Sequence, residues 1–87
     1  ESEPQIQNYP NPFSSKTTIR YKVTEPGFVL LKVFNQAGKE IANLVNEKQS
    51  VGEYFIEWKA SGLADGIYFC KLQYGNKSEV KKILKIN

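Results

Sequence analysis

Apolar and polar residues alternate with a period of two along most of this chain, and no stretch carries the three-to-four spacing of an amphipathic helix. Thr17 to Thr24 places Ile19, Tyr21 and Val23 on one face and Arg20 and Lys22 on the other, which predicts a strand with one wet face. Phe28 to Asn35 repeats the pattern with Val29, Leu31 and Val33 inward. Glu53 to Lys59 repeats it with Tyr54, Ile56 and Trp58, so the only Trp is expected in the core. Leu63 to Leu72 runs from turn chemistry at Ala64-Asp65-Gly66 into Ile67, Tyr68 and Phe69, as a central strand packed on both faces would. Cys70 within it reads as a small buried filler.

Turn residues punctuate these runs. Glu25-Pro26-Gly27-Phe28 offers Pro and Gly for a type II turn, expected to close a hairpin, and Gln36-Ala37-Gly38 and Tyr74-Gly75-Asn76-Lys77 offer two more turns. Between them, Lys39 to Asn46 places Ile41, Leu44 and Val45 at a spacing that fits neither period, which predicts a strand with a bulge. Ser78 to Ile86 should return antiparallel beside the central strand as an edge. Its alternation is mixed: Val80, Leu84 and Ile86 share a face with Lys82, and Ile83 shares the other with Lys81 and Lys85. Asn8-Tyr9-Pro10-Asn11-Pro12-Phe13 is stiffened by its prolines, and both rings, Tyr9 and Phe13, are expected to tuck against the domain. With a further strand near residues 5 to 9, the pattern predicts an all-β fold: an immunoglobulin-like antiparallel β-sandwich of about seven strands. The Cys-Trp-Cys framework of true immunoglobulin domains is missing.

Composition narrows the chemistry. The 87 residues suffice for one domain burying roughly 64% of its unfolded surface, with no room for a deep cleft. Residues 1–6 read as a linker remnant of a larger chain and residues 7–87 as the domain. With no His and one Cys, neither a zinc site, a Cys-His pair nor an intrachain disulfide can form, and no glycine-rich phosphate loop is present. No catalytic, cofactor-binding or metal-binding residues are therefore expected, nor a transmembrane span, since the longest apolar run is too short. The net charge of +3 is localised: residues 1 to 76 hold eight basic and eight acidic residues, and Lys77, Lys81, Lys82 and Lys85 against Glu79 supply the excess. Such a strand can steer an acidic partner, but Lys also guards an exposed edge against aggregation, and this second reading is preferred. Nucleic acid is not an expected partner.

The residues also carry a family resemblance. Gln7 to Phe13 with Thr17 to Tyr21, Val29 to Asn35 with Gly38, Gly52 to Trp58, Leu63 to Tyr68 and Lys81 to Leu84 together resemble the type A C-terminal sorting domain of type IX secretion cargo. The Tyr-Pro-Asn-Pro-Phe segment is the specific part. The resemblance implies a secreted or cell-surface fate, by way of the periplasm and outer membrane of Bacteroidetes-type bacteria. It further implies an upstream cargo domain, a translocon that reads the domain, and a sortase-like surface protease that removes it. Carried over by position, the signal residues are Gly66 and Tyr68, Lys81 and Lys85, and the terminal apolar Leu84 and Ile86.

Two other functions compete: a hook-capping type immunoglobulin-like domain, which shares Trp58 and the Gly66-Ile67-Tyr68 pattern, and an ancillary carbohydrate-binding sandwich of a secreted hydrolase. The latter needs coplanar exposed rings, for which Phe28, Phe34, Phe55 and Tyr74 are the candidates.

Overall fold

A computed structural model describes residues 6–86. Seven strands follow in order: β1 Ile6–Tyr9, β2 Lys16–Val23, β3 Gly27–Phe34, β4 Glu40–Gln49, β5 Gly52–Lys59, β6 Gly66–Tyr74 and β7 Lys77–Lys85. All pair antiparallel, in a three-stranded sheet ordered β1-β2-β5 and a four-stranded sheet ordered β4-β3-β6-β7. The all-β immunoglobulin-like sandwich follows from the alternation: Ile19, Tyr21 and Val23 of β2 meet Val29, Leu31 and Val33 of β3 in one core, all at most 2% exposed. Apart from Ile6, which opens β1 and is buried, the expected linker lies outside the described residues, as does Asn87.

β6 is central, flanked by β3 and β7. It is not packed on both faces, however: Tyr68, Cys70, Leu72 and Tyr74 are buried inside, while Ile67, Phe69 and Lys71 lie half-covered on an outer face with no second layer among the described residues. β4 skips a residue twice against β3, at Leu44 and at Ile41, so the irregular spacing of its apolar positions is a strand with two bulges.

The turn at Glu25-Pro26-Gly27 does not close a hairpin. β2 pairs with β1 and β5, whereas β3 belongs to the other sheet, so this turn is a crossover between layers. Both strands bury a full apolar face, and two such faces are satisfied by opposing each other rather than by lying side by side. Tyr74 sits beneath this crossover, buried, with its hydroxyl accepting from the Thr24 N–H at 3.3 Å. The expectation that it is exposed fails because it shares the parity of Tyr68 and Leu72.

Candidate functional site

The turn before β6 sets the geometry of the site. Gly66 opens the strand at φ +143°, a region that side-chain-bearing residues rarely adopt, although a Cβ there would meet only the Gln36 Oε1 at 4.0 Å. The requirement for glycine is one of backbone angle, not of space. Two residues on, the buried Tyr68 hydroxyl donates to the Ala64 carbonyl at 2.5 Å, closing the loop onto itself as the tyrosine corner of immunoglobulin-like sandwiches does. Cys70 follows where such sandwiches commonly place a disulfide cysteine. Here it is a buried free thiol, and burial pushes its pKa up to about 12.

From Tyr68 a chain of rings leads across the interior. Trp58 meets Tyr68 edge-on at 5.6 Å and Phe13 at 5.5 Å, so Phe13 is drawn into the core at 2% exposure. The expected tuck is met by Phe13 but not by Tyr9, whose ring is 81% exposed on the outer face of the three-stranded sheet. The Thr17 hydroxyl donates to the Pro10 carbonyl at 2.9 Å and holds this segment from below.

Phe13 thereby reaches the last strand. Its N–H donates to the Leu84 carbonyl at 3.0 Å, and its carbonyl accepts from the Ile86 N–H at 2.8 Å, a parallel bridge. The Asn11 Oδ1 accepts from the Leu84 N–H at 3.2 Å. Asn11 and Phe13 thus clasp the C-terminal half of β7 along its outer edge.

Five of the six expected signal residues converge at this end of the four-stranded sheet. Gly66 pairs with Lys85, and Tyr68 with Ile83. Leu84 pairs with Ile67 and points outward, 38% exposed, as does Ile86 at 48%. In the adjoining row Lys82, Phe69 and Phe34 align, so the outer face carries a patch of apolar side chains with a cation at its margin.

Lys85 departs from the edge-guard expectation. It points inward and is buried, its Nζ donating to the Asp65 Oδ1 at 3.3 Å. Lys81 shares its face but lies about 13 Å back along the strand, half-exposed and without an ion pair among the described residues.

Sequence reasoning overlooked Asp65 and Asn11 as partners of the last strand. The one available signal was that Asp65, the only Asp, stands next to Gly66. The ring platform does not form among its four candidates: Tyr74 is buried, and Phe28 and Phe55 lie on outer faces of opposite sheets.

The family model described as secretion system C-terminal sorting domain matches residues 7–86. No curated protein and no solved structure matches the chain.

Proposed function

The chain belongs to the family of secretion system C-terminal sorting domains, and from that premise we propose how its six signal positions divide the work. The domain is the C-terminal sorting signal of type IX secretion, marking an attached upstream cargo for export to the cell surface or release by way of the outer membrane. Its family is one of secretion signals rather than of catalysts. The hook-capping and carbohydrate-binding readings draw no support.

In our reading, Leu84 and Ile86, with Ile67 and Phe69 beside them, are the surface that the translocon reads, and Lys81 adds a separate charged contact. Gly66, Tyr68 and Lys85 act from behind. Gly66 sets the angle at which β6 starts, Tyr68 closes the preceding loop, and Lys85 ties the last strand to Asp65. The sortase-like protease then acts on the chain upstream of the fold. The observation that supports this division is the opposite placement of neighbours on β7: apolar Leu84 and Ile86 face solvent, and charged Lys85 faces the core.

The test is export of a reporter fused upstream of the chain in a type IX-competent host, read beside the thermal melt of each purified variant. Leu84→Ser with Ile86→Ser should lower export with a smaller melt shift than a core substitution, because both side chains are partly exposed on the outer face. Lys85→Ala should lower both together. Export of the Leu84/Ile86 variant at the parent rate would remove the apolar patch as the recognised surface.

A further inference from the structure

The sandwich has four edge strands, and three of them are protected against pairing with another chain. β4 is bulged twice, β5 alternates Glu53, Glu57 and Lys59 along its exposed side, and β7 combines its lysines with the clasp from Asn11 and Phe13. β1 has none of these devices. Its four residues, Ile-Gln-Asn-Tyr, carry no charge, no bulge and no proline, and among the described residues only β2 pairs with it.

Beside this unguarded edge lies an open groove of ≈ 710 Å³, within the usual range of ligand sites. It begins on the outer face of the three-stranded sheet between two exposed rings, Tyr9 at 81% and Phe55 at 65%. It then passes over β1 to Lys81, where β1 lies against β7. Its charge is one-sided. Arg20 is already engaged, pairing with Glu53 and donating to the Gln7 Oε1, and Lys81 has no ion pair among the described residues. Among the described residues, no carboxylate lines the groove. Asn8 also lines it, although its Oδ1 is buried beneath the surface and has no hydrogen-bond partner among the described residues.

We propose that the free edge of β1 accepts an extended peptide strand bearing acidic side chains, laid along this groove between the Tyr9 and Phe55 rings and Lys81. An added strand satisfies the unpaired backbone groups of β1, and its alternating side chains reach opposite sides. One set lies over Tyr9 on the side where Phe55 lines the same groove; the other brings a carboxylate to Lys81. This surface is distinct from the Leu84 and Ile86 patch. Its binding is measured on the purified chain, so its failure is separable from a failure of export.

The experiment is a titration of the isotope-labelled 87-residue chain with a capped synthetic peptide of alternating Asp and Val residues, followed by backbone amide resonances and amide exchange. The expected result is perturbation confined to β1, Phe55 and Lys81, with slowed exchange of β1 amides. Lys81→Glu should weaken binding about fivefold or more, the scale of a partly exposed ion pair. Phe55→Ala, at a solvent-facing position, should weaken it independently, and methylation of alternate peptide nitrogens in the probe should abolish it. Equal binding by a probe with Lys in place of Asp would overturn the proposal, as would indifference to N-methylation. So would a neutral oligosaccharide that occupies the rings regardless of Lys81→Glu, or dimerisation of the chain through β1 without any probe.

Discussion

The two halves of β7 have the same kind of sequence and different surroundings. From Lys77 to Lys82 the strand has β6 on one side and no clasp on the other, and Lys81 stands half in solvent. From Ile83 onward it is held on both sides, by β6 and by Asn11 and Phe13, and Lys85 is buried against Asp65. The two lysines stand four positions apart on one face, so strand periodicity treats them alike. What separates them is material brought from far along the chain. Burying an ammonium group carries a desolvation penalty that a single partner offsets only in part, and here Asp65 remains 53% exposed, so the pair keeps one foot in water.

The largest expected effect comes from removing the clasp's anchor. Phe13→Ala should destabilise the chain by about 3 to 5 kcal/mol in urea unfolding, as for other buried aromatic truncations. A loss below about 1 kcal/mol would mean that the two halves of β7 are held alike and would break the comparison. Next is Lys85→Ala, expected to cost about 1.5 to 3 kcal/mol, the scale of a hydrogen bond to a charged group. Lys85→Met should recover much of that loss if the buried stem matters more than the charge.

Cys70 tests whether the open half of β7 is open only at its edge, since it pairs in register with Lys81 yet is 0% exposed. It should resist alkylation in the native chain and react on unfolding. Its thiol pKa is raised by burial from 9.0 to about 12, so its contribution to stability is fully present below about pH 9. Above that the unfolded chain ionises first, and the contribution is lost progressively as pH climbs toward about 12. Cys70→Ala should flatten this part of the stability curve, leaving the decline of the same sign that comes from Tyr21, whose hydroxyl pKa is raised chiefly by burial. Rapid native-state alkylation would place the open half's neighbours in contact with water. The smallest effect belongs to Lys81→Ala, expected to change unfolding free energy by no more than about 0.5 kcal/mol. A melt shift as large as that of Lys85→Ala would erase the distinction.

Much of this fold was legible in the chain. The inward faces of β2, β3 and β5, both hairpin turns and the irregularity of β4 follow from alternation and turn residues. So did the inward place of Tyr74, had the parity of β6 been carried to its end. Less legible was the crossover at Pro26-Gly27, because a tight turn can serve a hairpin or a change of layer, and the choice rests on which apolar faces must meet. The site was legible in its residues but not in its arrangement. Gly66 and Tyr68 stand out as turn and aromatic, yet the burial of Lys85 depends on Asp65 twenty positions earlier and the pairing of the Leu84 N–H on Asn11. No local pattern encodes such distant partners.

The bridge between Phe13 and the end of β7 has a mechanical side. The two segments run parallel, so traction applied through the chain before Asn11 and resisted at the chain after Ile86 loads the bonds of Phe13 to Leu84 and Ile86 in shear, side by side rather than one after another. Tension from the upstream chain is therefore borne first by β1 against β2 and next at the seam beside the signal residues.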